Sequence, residues 1–238
     1  MNEPVFILKG NIIYSKDLTE LAVCEHGYLV CRNGLAEGVY PTLPFKLGGN
    51  PIHDYGDCLI IPGLVDLHLH APQYSFRGLG MDMELLEWLE TNTFPEESKY
   101  KDIEYAKKAY TIFADNMRRS ATTRACIFAT IHRPATMLLM DLMEKAGLST
   151  YVGKVNMDRN APDHLREETQ ESAAETLEWI KDVLHRKYEN TRPILTPRFT
   201  PSCTDELMEE LKKLQMRYGL PLHSHLSENR SEVEWVKD

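Results

Sequence analysis

The sequence predicts an α/β chain, a small β domain followed by part of a (β/α)8 barrel of the TIM type. Residues from Val5 to about Ile61 run as short strand-like stretches, and after Pro62-Gly63 apolar runs alternate with long amphipathic segments. Neither G-x-G-x-x-G nor G-x-x-x-x-G-K-[ST], the nucleotide signatures of doubly wound sheets, occurs in the chain. The barrel is therefore the preferred architecture, with parallel strands and right-handed helical crossovers. The expected division is a β domain over residues 1–61 and a barrel portion over residues 62–238.

In the β domain the stretches are VFILKGNIIYS, GYLVCR and LAEGVY, the last two separated by Asn33-Gly34. That dipeptide tolerates the two positive φ angles of a type I′ hairpin turn. Beyond Gly63 strands are expected near Leu64–His70, Thr122–Thr130, Tyr151–Asp158, Pro193–Thr200 and Leu220–Leu226. Helices are expected near Asp82–Glu90, Ile103–Arg119, Thr136–Ala146, Glu167–Tyr188 and Asp205–Tyr218. Ser202-Cys-Thr-Asp205 reads as an S-x-x-D cap opening the last of these, and Gly219 closes it. The acidic run from Glu167 reads as the exposed start of its helix, where carboxylates suit the dipole.

About five of eight barrel strands are thus present, whereas a full barrel takes about 250 residues. The expectation is a truncated barrel, the chain being a portion of a longer protein and the segment from Ser231 a helix of about two turns.

With 42% hydrophobic and 26% charged residues the chain has the composition of an ordered protein. Its longest apolar runs, such as CLIIP, fall far short of the ~20 residues of a membrane span. A net charge of −9 without a Lys/Arg tract argues against a nucleic-acid partner and leaves a small molecule as the expected substrate. Cys24, Cys31, Cys58, Cys126 and Cys203 are odd in number, widely spaced and free of C-x-x-C, which points to the reducing cytoplasm. The N-terminus lacks the pattern of a signal peptide.

Strand alternation puts Asp66, His68 and His70 on one face of LVDLHLH, with Val65, Leu67 and Leu69 on the other. Two imidazoles on one face at a strand end can converge on a metal, although an H-x-H by itself equally suits two interior or surface histidines. A second constellation, LHSHLSE, puts His223 and His225 on one face of the fifth strand with Glu228 just beyond. Histidines from two strand ends beside a carboxylate match a zinc site with open positions for water. The alternative is that the histidines fill the barrel interior and Glu228 caps the following helix.

The motifs PGLVDLHLH, APQYSF, LLEWL, TFPEE, FATIH, YVGKVNMD, TPRFTPSC and SHLSEN together resemble the guanine deaminase family of the amidohydrolase superfamily. The resemblance runs from Pro62 to Asn229, and the preceding segment is similar to that family's N-terminal β domain. It implies a metal-dependent hydrolase of the amidohydrolase barrel type that deaminates guanine to xanthine and ammonia with one zinc ion per site. It further implies His68, His70 and His225 as zinc ligands, Glu228 as the proton shuttle, and Gln73, Arg198 and Phe199 as substrate contacts. Arg would present paired donors to O6 and N7, Phe would stack on the purine, and Gln offers a donor and an acceptor. Read from the residues alone, Arg198 could pair with a helix carboxylate, Phe199 could be core and Gln73 could sit in a polar loop. A later histidine and an aspartate ligand implied by the family have no counterpart in these residues; Asp66 reads as a support for the ligating histidines, and His223 as a purine contact, a support or filling. The resemblance also favours a homodimer, or association with the missing C-terminal half. Two other readings stand beside it, an amidohydrolase for a different amino-heterocycle and a non-catalytic interaction protein.

Met81, Met83, Leu85, Leu86 and Trp88 read as an apolar helix face packing on the barrel mouth or a second subunit. His132 reads as a solvated histidine on the rim, and His26, His53, His164 and His185 lie in polar stretches.

Overall fold

The computed structural model describes residues 5–237, so residues 1–4 of the predicted β domain and N-terminus, and residue 238 of the barrel portion, lie outside it. The chain divides after Gly63 into two compact units.

The first unit is one sheet in the order β3-β2-β1-β4, formed by β1 (Val5–Ser15), β2 (Leu21–Arg32), β3 (Leu35–Tyr40) and β4 (Ile52–Ile60). Arg32 pairs with Leu35 across a two-residue turn in which Asn33 and Gly34 have φ of 51° and 77°, the predicted type I′ geometry. Ile7, Val30 and Leu47 are buried together at its centre.

The second unit alternates strands and helices. A parallel sheet runs β5-β6-β7-β9, from β5 (Leu64–His70), β6 (Thr122–Phe128), β7 (Ser149–Gly153) and β9 (Thr191–Pro193). The third and fourth predicted strands continue as β8 (Val155–Asn156) and β10 (Thr196–Pro197), which pair with each other in parallel. The fifth, expected over Leu220–Leu226, is reduced to two parallel bridges, Leu195 with Leu222 and Phe199 with His225. In the fourth and fifth strands the interruptions have a cause in the sequence: Pro193, Pro197 and Pro221 lack the N–H that a continuous ladder requires. Neighbour still follows neighbour in chain order, as in a barrel wall.

The helices pack on the outer side of this wall. The expected helix over Asp82–Glu90 begins later and runs further, as α1 (Leu85–Trp88), a π-type turn (Leu89–Thr93), α2 (Phe94–Glu97) and a 3-10 turn (Ser98–Lys101). Glu84 caps its start by accepting the N–H of Leu86. Next come α3 (Ile103–Arg119), capped by Asp102, and α4 (Arg133–Ala146), closed by Gly147 at φ 75°. They are followed by α5 (Thr169–Arg186), α6 (Asp205–Tyr218) and α7 (Arg230–Lys237). The cap of α6 is Thr204, whose side chain accepts the N–H of Leu207, rather than the predicted Ser202; Ser202 Oγ instead donates to the carbonyl of Phe199. Gly219 closes α6 at φ 65°, as expected.

Tyr110 and Phe113 of α3, Leu139, Met140 and Met143 of α4 and Trp179 of α5 form the main core with Ile127 and Val152 of the sheet. Burial of each such side chain stabilises by about 1.5–3 kcal/mol. A Cβ on Gly153 would lie 1.7 Å from Thr196 Oγ1 and 2.6 Å from the Ile194 carbonyl oxygen, so the crossing of adjacent strands here admits only glycine.

Two sequence expectations fail nearby. Glu167 does not begin an exposed helix: α5 starts at Thr169, and Glu167 turns inward to pair with fully buried Lys154 at 2.7 Å while accepting Ser172 Oγ. An unpaired buried ammonium would be far costlier than the helical turn given up. His132 is half-buried rather than solvated, and its Nε2 has no hydrogen-bond partner.

Burial, aided by the charges of Lys101 and Lys154, pushes the pKa of His132 down to about 4. In the unfolded chain it titrates near 6.5, so the unfolded state takes up the proton first. The contribution of neutral His132 to stability is therefore complete above about pH 6.5 and is lost as the pH falls towards 4. Melts of the parent protein and His132→Gln over about pH 7.5 to 4.5 are expected to show a shallower acid decline in the variant.

Candidate active site

β5 ends on His68 and His70, and its pairing with β6 shifts between Asp66 and Leu69. The irregularity re-aims the strand end, with Asp66 Oδ1 accepting the backbone N–H of His68 at 3.1 Å. That is the support Asp66 gives. Opposite, His225 joins the wall through its bridge to Phe199. The Nε2 atoms of His70 and His225 stand 2.9 Å apart, and one ring nitrogen from each of His68, His70 and His225 lies within 4.8 Å of the others. Two nitrogens each about 2.0–2.1 Å from one ion can be up to ~4.2 Å apart, so the closest pair suits a shared metal.

The tautomer suits it as well. His225 donates both its backbone N–H, at 3.0 Å, and its Nδ1–H, at 2.7 Å, to the carbonyl oxygen of Arg198, which leaves the Nε2 lone pair directed at His70. Burial pushes the pKa of His225 down to about 4, and burial together with the charge of Arg198 holds His70 well below the ordinary range. Both rings are neutral at pH 7, the form that coordinates.

His223 does not join this cluster. Its Nε2 is bonded to Thr196 Oγ1 at 2.5 Å, its ring lies 4.1 Å from that of Phe128, and it does not line the cavity over the cluster. Phe128, at the end of β6 and fully buried, also touches the rings of His68, His70 and His225 at centroid distances of 5.0, 4.5 and 4.6 Å. It is the common platform of all four imidazoles. The FATIH motif contained it, but a Phe ending an apolar strand gives no signal beyond core.

A cavity of about 260 Å³ opens over the cluster. Gln73, Arg198, Phe199 and Glu228 all line it with the three histidines, so the structure gathers every sequence-predicted site residue in one place. Leu69, Leu85, Trp88 and Leu89 complete the wall. The apolar face read from Met81 to Trp88 thus divides: Leu85 and Trp88 turn to the cavity, whereas Met81 is 80% exposed.

Arg198 and Phe199 are both buried. Arg198 does pair with a helix carboxylate, donating from Nη1 to Glu97 Oε2 at 2.6 Å, and it lines the cavity at the same time. The two readings of this residue are compatible. Glu228 does not cap α7; Asn229 does so, its Oδ1 accepting the N–H of Glu232 at 2.7 Å. The Glu232 carboxylate in turn accepts the N–H groups of Ser227 and Glu228, at 3.1 and 2.6 Å, and so holds the loop that presents Glu228. The N-x-x-E spacing of Asn229 and Glu232 was a readable capping-box signal. Burial against the protein raises the carboxyl pKa of Glu228, with Glu232 adding to the effect and His68 and Arg198 opposing it.

The Amidohydrolase family model matches residues 59–238. A guanine deaminase of Dictyostelium discoideum is 47% identical over 184 residues, which cover 77% of this chain and 41% of that protein. The guanine deaminase of Homo sapiens is 45% identical over 180 residues, 75% of this chain and 39% of that protein. A crystal structure of guanine deaminase from C. acetobutylicum with bound guanine in its active site is similar with a TM-score of 0.94 at 45% identity, over 98% of this chain and 55% of that one. The chain spans roughly two fifths of the length of the curated relatives it matches.

Replacing His70 or His225 by Ala is expected to weaken binding of added zinc by more than the 10–100-fold typical of residues that only support a ligand, whereas His223→Asn, which is bonded to Thr196 rather than to the cluster, is expected to cost less. Zinc titration against a chelator of known affinity checks the order of the three variants.

Proposed function

The chain belongs to the amidohydrolase family, and from that premise we propose that it forms the N-terminal portion of a zinc-dependent guanine deaminase, releasing xanthine and ammonia. The observation that carries the proposal is the convergence of His68, His70 and His225 in the same cavity as Arg198, Gln73, Phe199 and Glu228. The similarity to guanine deaminases at 45–47% identity supports the choice of substrate.

In this proposal His68, His70 and His225 would hold the metal through imidazole nitrogens. A bound ion would supply Lewis acidity, which lowers the pKa of water to about 7. Phe199 offers a ring face to the purine, and Arg198 directs N–H donors at the O6 and N7 acceptors. Gln73 pairs with another edge of the base through its amide. Leu85, Trp88 and Leu89 exclude bulk water from the cavity and so strengthen these polar contacts. Glu228 takes one proton from the attacking water and passes it to the ring nitrogen. It then carries the proton of the new C2 hydroxyl to the amino nitrogen, so that ammonia leaves as the C2 carbonyl of xanthine forms. A carboxyl pKa raised by burial brings the group towards the operating pH, where one side chain can serve as base and then as acid.

The proposed location is the cytoplasm, supported by five widely spaced cysteines without C-x-x-C. Among the described residues no helix is long and apolar enough to cross a membrane. A homodimer is part of the same proposal.

The test is guanine-dependent ammonia release by the full-length protein loaded with zinc. Glu228→Gln is expected to keep its zinc and to lose about 10²–10⁴ in turnover, the usual contribution of general acid–base catalysis. Turnover unchanged by that substitution would reject the assignment of Glu228, and activity towards other amino-heterocycles but not guanine would reject the substrate.

A further inference from the structure

Two adjacent carboxylates, Glu96 and Glu97, stand on the last turn of α2 and take no part in the metal cluster. Each grips an element that carries a side chain assigned above to the base. Glu97 Oε2 accepts from Arg198 Nη1 at 2.6 Å, and both residues are only 2% exposed. Glu96, 8% exposed, accepts from Ser75 Oγ at 2.7 Å, from Lys99 Nζ at 2.6 Å and from the hydroxyl of Tyr105. Ser75 lies two residues from Gln73, and the same short segment is tied again where Tyr100 donates to the Pro72 carbonyl.

Stability alone does not account for the Arg198–Glu97 pair. Buried ion pairs are commonly neutral or unfavourable beside an apolar replacement, because desolvating each ion costs several kcal/mol. Glu97 Oε1 is moreover buried with no hydrogen-bond partner, so the carboxylate makes its one hydrogen bond to Arg198. The geometry does have a use at the cavity. A guanidinium carries five N–H donors in a rigid plane, and anchoring one nitrogen fixes where the remaining donors point. Pairing with Glu97 also cancels the net charge, which suits recognition of an uncharged acceptor edge over an anion. Phe94, with its ring 5.3 Å below the guanidinium carbon, supports the same plane.

We propose that Glu97 is a positioning residue which holds the Arg198 guanidinium for the acceptor edge of the base, and so sets the preference for a purine with oxygen at C6. The proposal rests on the guanine deaminase reading of this cavity and adds the group that gives it selectivity. Glu97 touches Arg198 rather than the reacting atoms, so its loss acts on recognition.

The experiment compares guanine with 2-aminopurine, which keeps the ring and the 2-amino group but has no oxygen at C6. It uses the zinc-loaded full-length protein and its Glu97→Gln, Arg198→Met and doubly substituted forms. Where 2-aminopurine is not turned over, its inhibition constant against guanine replaces its kcat/KM. Glu97→Gln is expected to reduce the preference for guanine at least about tenfold, chiefly through a higher KM, with zinc content unchanged. The double variant is expected to be no worse than Arg198→Met alone, because the two residues act as one unit. The ratio of the two compounds does not depend on how much of a preparation is folded. Should Glu97→Gln give no soluble protein, Glu97→Asp is read in the same way, its shorter stem pulling the guanidinium off position. An unchanged preference, or effects of the two substitutions that multiply, overturns the proposal. Absence of guanine turnover in the parent protein overturns the functional reading itself, a result distinct from an active parent with an indifferent Glu97 variant.

Discussion

The arrangement at the strand ends depends on Arg198, which acts through both its peptide and its side chain. Its carbonyl oxygen receives the backbone N–H and the Nδ1–H of His225, and its guanidinium is buried against Glu97. The first pair of bonds turns one imidazole so that its free nitrogen meets His70; the second holds a cation in a place where, unpaired, it would be too costly to keep. A single residue thus couples the proposed metal cluster to the proposed base-reading wall. His225 and Phe199, joined across the fifth and fourth strand positions, transmit that coupling along the backbone.

Around this point the fold supplies rigidity by ordinary means. Parallel pairing of neighbouring strands brings the ends of β5 and β6 and the His225 bridge to one side, while the helices cover the outer side with a core centred on Met140, Met143 and Trp179. Phe128 fills the space beneath four imidazoles, and the Nε2 atoms of His70 and His225 face each other while that of His223 faces the Thr196 hydroxyl. The buried cations are paired, Lys154 with Glu167 and Arg198 with Glu97. In both cases the acidic partner comes from a different segment, so each pair also fixes a loop or a helical turn near the strand ends.

Much of this was legible in the residues. The two-residue period of a strand put His68 with His70 and His223 with His225, and Asn33-Gly34 and Gly219 announced their turn and their helix end through backbone preferences that only a few residue types satisfy. What periodicity cannot express is which same-face residue goes where: His223 shares a face with His225 but bonds to Thr196, and Asp66 supports His68 through its backbone. The fourth and fifth strands looked continuous because their side chains alternate, yet Pro193, Pro197 and Pro221 interrupt the hydrogen-bonding ladder. Glu97 was beyond local reading altogether, since its meaning lies in a contact with a residue 101 positions away. Glu167 was misread for the same reason, its partner Lys154 being hidden in the wall.

The proposed function requires His68, His70 and His225 to hold a metal beneath a base gripped by Arg198. Crystals of the full-length protein grown with zinc and guanine, measured on both sides of the zinc absorption edge, test it most directly. The expected result is an anomalous peak about 2.0–2.1 Å from a ring nitrogen of each histidine, with the base stacked on Phe199, its oxygen-bearing edge at Arg198, and the contact from Arg198 to Glu97 intact. A metal bound elsewhere, or guanine lying outside this cavity, would contradict it.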